Sequence, residues 1–189
     1  MERPFEIVMI EQCAPALAGL KPAGLFRVEA CDRAALYAKA AGWDSVLRPR
    51  GLRVCVLCEQ AQNHAYLIYV FREKQLRPVL AQPEVQAYLQ GRGYHRANAC
   101  GGYLCQLAQR LRAAPPFPHE IGVFLGYPLA DVIGFVENNG KNYTCCGCWK
   151  SYGDAAVAQA LFTQYKKCTQ VYLRCYRGGT PLTRLTVAG

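Results

Sequence analysis

The chain has 189 residues, 52% of them hydrophobic and 19% charged, and its 22 basic against 13 acidic residues give a formal net charge of +9. This composition excludes a disordered chain, since there is enough apolar surface to offset the entropy of ordering it. The length favours one domain, residues 1–189, over two.

Residues 4–19 read as a helix interrupted at Cys13-Ala14-Pro15, because proline removes a backbone donor and disfavours the α conformation in its predecessor. Residues 25–31 alternate apolar and polar and suit a half-buried strand. Asp32 is the expected N-cap of a helix reaching Leu47. Residues 52–59 and 64–72 are two β-rich runs joined by Gln60-Ala61-Gln62-Asn63, a loop short enough to force an antiparallel hairpin. The second run is apolar on both faces, so it is expected to be covered on both sides. Pro83-Glu84 opens a helix to about Gln90, and Asn98 is the expected cap of another reaching Arg112. Ala114-Pro115-Pro116-Phe117-Pro118 forms an extended linker.

Two short helices, 121–127 and 129–138, are expected around Pro128, ending at Asn138-Asn139-Gly140. Residues 142–153 read as an irregular loop rich in cysteine and aromatic residues. Asp154 starts a long helix to about Arg177, and 181–187 reads as a closing strand. The expected fold class is α+β: a small antiparallel sheet of about three strands covered by helices within 1–113, followed by a mainly helical part, 117–189, that carries the cysteine-rich loop.

Eleven cysteines, an odd number, would leave one thiol without a partner in an oxidising compartment. No apolar run approaches the roughly 18 residues of a membrane-spanning helix, and the N-terminus with Glu2 and Arg3 does not read as a secretory signal. A cytoplasmic protein with reduced thiols and no membrane partner is therefore expected.

Cys145-Cys146-Gly147-Cys148-Trp149 is the most distinctive stretch chemically. Two cysteines separated by two residues can grip one tetrahedral metal, zinc or iron, or close a redox disulfide. One pair supplies only two ligands, so Cys13, Cys168, His119 or the pair Cys55 and Cys58 would have to complete a metal site. Cys55 and Cys58 read as strand packing instead, because positions i and i+3 of a regular strand face opposite sides.

His119, beside Glu120 at a helix start, could pair with a cysteine as its base, which would make a cysteine-dependent hydrolase. Residues 121–138 also fit helix-turn-helix spacing, with Gly122 at the close contact and Gly126 at the turn. The second of those helices carries Asp131 and Glu137 and no basic residue, which argues against nucleic acid as a partner and for packing. The net positive charge suggests an acidic partner.

Three stretches carry a resemblance. They are Cys13 through Lys21 with Leu25-Phe26, then Pro118-His119-Glu120-Ile121-Gly122-Val123-Phe124-Leu125-Gly126-Tyr127-Pro128 with Asp131-Val132 and Gly134-Phe135, and finally Cys148-Trp149-Lys150 with Tyr152-Gly153-Asp154. On these the chain resembles the domain of unknown function 3793 family over nearly its whole length. The resemblance implies a bacterial protein, mainly of anaerobes, with no assigned activity. The proximity of members to flavodoxin and iron-uptake genes implies an acidic protein such as a flavodoxin as partner. Gln12 stands where the family often has histidine, and Cys146 is additional, which counts against any scheme with residue 12 as ligand or base. The leading functional expectation is a thiol-based redox or metal-handling accessory protein with Cys145 and Cys148 central and Cys13, Cys168 and His119 completing the site. A helical binding module and a cysteine hydrolase are the alternatives.

Overall fold

The computed structural model describes residues 3–60, 64–113 and 116–189. Residues 61–63 of the expected hairpin loop and residues 114 and 115 of the expected linker lie outside the described residues. In chain order the elements are α1 (Phe5–Leu17), β1 (Ala23–Glu29), α2 (Arg33–Leu47), β2 (Arg53–Gln60), β3 (Ala65–Phe71), α3 (Glu73–Ala81), α4 (Pro83–Gly91), α5 (Cys100–Arg112), α6 (Ile121–Phe124), α7 (Leu129–Glu137), β4 (Cys145–Cys146), β5 (Lys150–Ser151), α8 (Ala155–Arg177) and α9 (Leu182–Leu185). The class is α+β, with a helical C-terminal half.

β3 is the hydrophobic centre of the fold. Every one of its residues is buried, and β1 and β2 flank it, both antiparallel, in the order β1-β3-β2. Successive side chains of a strand point to opposite faces, so a strand apolar at every position needs a helical layer on each side. Tyr66, Ile68 and Val70 pack with Met9, Ile10 and Cys13 of α1, Leu36 and Leu47 of α2, and Tyr172 of α8. Leu67, Tyr69 and Phe71 pack with Leu76, Leu89, Leu107 and Phe124 from α3, α4, α5 and α6.

Local signals place several boundaries as expected. Asp32 accepts the Ala35 N–H at 2.9 Å at the start of α2, and Asp154 accepts those of Ala156 and Val157 at the start of α8. β1 lies two residues earlier than expected, and α5 is preceded by Ala99 rather than capped by Asn98. The helix α3 has no strong sequence signature because Pro78 lies within it.

Four expectations are corrected. α1 is not interrupted at Pro15: the proline is buried in the last turns, and the chain leaves the helix only before Gly19, whose φ is +76°. Burial of the pyrrolidine ring offsets the missing donor. Residues 181–187 do not form a strand, because they turn through α9 and then run to the end of α1 rather than to a sheet edge. There Val187 N–H donates to the Leu17 carbonyl at 3.0 Å. The helix expected at 121–127 ends at Phe124, and Gly126 turns the chain with φ +75°. The cysteine-rich loop is ordered as a two-stranded hairpin, β4 against β5.

A buried arginine ties these ends together. Arg72, 2% exposed, donates to the carbonyls of Ala16, Leu17 and Val187 at 2.7 Å each. The last carbonyls of a helix have no partner inside it. Arg72 supplies one to the end of α1 while holding the C-terminal tail on the same guanidinium.

Candidate functional site

The candidate site forms where the three sequence stretches that carry the resemblance meet. The first contributes the end of α1 and Lys21, the second the turn between α6 and α7, and the third the β4–β5 hairpin. Glycines mark the contacts, since each lies where a side chain would collide. A Cβ on Gly126 would stand 2.3 Å from the Pro22 ring, one on Gly134 2.5 Å from Tyr152, and one on Gly24 2.6 Å from the Cys13 sulfur.

Asp131 fixes the hairpin. It is 5% exposed and accepts three hydrogen bonds: from Trp149 Nε1 at 2.7 Å, Ser151 Oγ at 3.1 Å and the Tyr152 N–H at 2.7 Å. The Trp149 indole, so oriented, stacks on Tyr127 with centroids 4.6 Å apart and meets Phe162 of α8 edge-on at 4.6 Å. Gly147 lies against the same Phe162 ring, where a Cβ would come within 2.2 Å. Lys150 Nζ donates to the Gly140 carbonyl at 2.7 Å. The acid on α7 is thus turned inward to hold the hairpin. The helix-turn-helix spacing in 121–138 reflects this packing, with Gly122 against Val132.

Beside this hairpin, along edge strand β1, lies a cleft of about 1080 Å³ between α1 and α8. Lys21, Tyr127, Cys146, Cys148, Tyr165 and Lys166 are among its lining residues. Lys21 Nζ is 5.1 Å from the Tyr127 ring centroid and 5.9 Å from that of Tyr165. Among the described residues it makes no ion pair with a carboxylate. The aromatic faces supply part of the attraction an acid would otherwise give. Burial pushes the Lys21 ammonium below its ordinary pKa, and the neighbouring Cys13 and Cys148 sulfurs act in the opposite direction.

The sequence candidates separate around this cleft. Cys148, an exposed residue, borders it; its thiol is raised above the ordinary pKa by burial, which Lys21 only partly offsets. Cys145, paired with Ser151 in the hairpin, directs its sulfur to Gln159 Oε1 of α8 at 3.6 Å. Cys13 is 1% exposed in the core between α1 and β1, and burial pushes its thiol up to about 12. Cys168 packs into the same core from α8, its thiol pushed up to about 11 by burial.

His119 is elsewhere. Its ring lies between those of Phe117 and Phe135, tilted to both, with centroids 5.7 and 4.9 Å away, in a separate pocket with Arg92, Arg110 and Glu120. None of the eleven cysteines lines that pocket, which leaves the imidazole without the nucleophile a hydrolase would require. Glu120 is buried there and bound to Arg110 at 2.8 Å.

Cys55 and Cys58 do not face opposite sides. A β-bulge between Val56 and Cys58 shifts the register, so Cys55 opposes Tyr69 and Cys58 opposes Leu67, on one face of the sheet. An extra residue in one strand reverses the alternation beyond it. Both sulfurs pack into the helical layer that includes α5, as the packing interpretation expected. Among the described residues no three His, Cys, Asp or Glu side chains gather to hold a metal ion. All eleven cysteines are free thiols.

In the sequence Lys21 and Tyr127 stand out only as matched positions, and Asp131 only as a matched position and an acid of the second short helix, none with a site role. The available signal is that all three lie in the stretches that carry the resemblance, with Lys21 before Pro22 and Tyr127 between Gly126 and Pro128. No helix of the described residues is long and apolar enough to cross a membrane. The sequence model of the family described as Protein of unknown function (DUF3793) matches residues 9–186. No curated protein and no solved structure matches the chain.

Proposed function

The chain belongs to the DUF3793 family, and we propose that it is a thiol-based redox accessory protein whose working thiol is Cys148. The observation that carries this reading is the placement of Lys21, an ammonium held on two tyrosine rings with no carboxylate partner among the described residues, in the lining of the cleft it shares with Cys148. A thiolate is the nucleophile in thiol–disulfide exchange, and a nearby cation favours it over the thiol. Burial outweighs Lys21 and holds the Cys148 thiol above its ordinary pKa; Lys21 limits that rise, and the residue is exposed at the cleft, where a disulfide can reach it. Eleven free thiols support a reducing compartment, and the net charge of +9 supports an acidic protein partner.

The test is the pH profile of mixed-disulfide formation at Cys148 with neutral 2-hydroxyethyl disulfide, read by peptide mass. Lys21→Met is expected to shift the profile to higher pH and to slow the reaction roughly tenfold at pH 8, as loss of a neighbouring charge does. Coincident profiles for the two proteins would sink the reading. So would a Cys148 that forms no adduct under conditions where exposed Cys31 does.

A further inference from the structure

We infer that the cleft selects small acidic disulfides, those bearing carboxylates, as the partners of Cys148; this rests on the exchange chemistry proposed above. Lys21, Lys166 and Lys167 all line the cleft, against a single acidic lining residue, Glu11. The carboxylate of Glu11 is already paired with Arg3. The three lysines make no ion pair among the described residues. Lys21 is the inner cation, mostly withdrawn from solvent, while Lys166 and Lys167 are exposed on α8 at the rim.

A cleft lined by charges of one sign concentrates ligands of the opposite sign, and the desolvated inner ammonium gains most from a carboxylate that pairs with it. The size of the cleft suits a small molecule. Cys148 shares that lining, so a bound anion would present its disulfide to the thiolate.

The step balances without another reactant. The Cys148 thiolate attacks one sulfur of R–S–S–R, the S–S bond breaks and a Cys148–S–S–R bond forms. The departing RS⁻ takes up a proton equivalent to the one Cys148 gave up. The disulfide is the oxidant: the leaving thiol is reduced and Cys148 is oxidised.

The experiment uses the full chain and three probes: 3,3′-dithiodipropionate, 2-hydroxyethyl disulfide and cystamine, carrying two negative, no and two positive charges. Rates of adduct formation at Cys148 and at Cys31 are read by peptide mass, each relative to the same probe with 2-mercaptoethanol. At Cys148 the anionic probe is expected to react about tenfold faster than the neutral one and the cationic probe slowest, a spread that 1 M salt narrows. Lys166→Ala/Lys167→Ala, both exposed positions, should reduce that preference several-fold. Equal relative rates for the three probes overturn the acidic-substrate inference and leave the exchange chemistry standing. A preference undiminished in the double variant overturns it as well. No adduct at Cys148 with any probe removes the exchange chemistry itself.

Discussion

The Asp131 carboxylate on α7 accepts the Trp149 indole N–H at 2.7 Å across 18 positions of sequence. Through that bond a helix that resembles a recognition helix becomes the anchor of a thiol-bearing hairpin. The same carboxylate also holds Ser151 and the Tyr152 backbone, so one buried charge is satisfied three times, as a buried charge must be.

Asp131→Ala should therefore leave three donors unpaired, Ser151 buried and Trp149 and Tyr152 partly so, and cost roughly 2–4 kcal/mol, by the usual penalty for such groups. Urea denaturation followed by tryptophan fluorescence measures it. An unchanged midpoint would show that the hairpin is held by its aromatic contacts alone.

Gly126 is doubly constrained, by a φ of +75° and by Pro22 at 2.3 Å from any Cβ. Gly126→Ala is expected to destabilise by about 2–3 kcal/mol from backbone strain and overlap together. Gly91→Ala, where a Cβ meets nothing within 4 Å, serves as the control and should be neutral or slightly stabilising. Equal thermal midpoints for the two variants would refute the close contact.

Asp44 is buried at 7% exposure, and burial raises its carboxyl pKa; hydrogen bonds from Arg53, Arg48 and the Val54 N–H outweigh this and hold it below 3.8. With the folded value depressed, the stabilisation is present above pH 4 and is lost as pH falls through the folded value. Asp44→Asn should lower stability at pH 7 by roughly 1–2 kcal/mol, since the Arg48 and Arg53 side chains left behind are well exposed, and flatten the loss of stability below pH 4. Parallel acid-denaturation curves for the two proteins would contradict the assignment.

Thiol labelling should follow burial and not sequence motif. Iodoacetamide at pH 8 is expected to modify exposed Cys31, Cys105, Cys146 and Cys148 readily, while Cys13, with its thiol near 12, stays unmodified until urea unfolds the chain. His119→Ala should leave the whole labelling pattern unchanged, since the imidazole lies in another pocket. A labelling rate at Cys148 that falls in the His119 variant would restore the cysteine–histidine pairing.

Much of the fold was legible because its signals are local or periodic. Asp32 and Asp154 cap helices through bonds two or three residues long, and the unbroken apolar run of β3 needs only alternation to imply a covered central strand. The bulge that brings Cys55 and Cys58 to one face was not legible, since composition alone does not mark an inserted residue in a ladder. Nor was α9, whose short turn depends on where the tail docks at Arg72.

The amino-acid order alone determined the α+β class, the antiparallel pairing of β2 with β3 and the chemical distinctiveness of the cysteine-rich stretch that carries Cys148, though not its hairpin form. The tertiary structure decided which side chains share a site: Lys21 and Cys148 line one cleft, Asp131 binds Trp149, and His119 lies in a pocket with no thiol. The physical reason is one of range. Hydrogen bonds to nearby backbone and the periodicity of burial act over a few residues, whereas the field on a thiol is set by a charge more than a hundred positions away that burial brings alongside it.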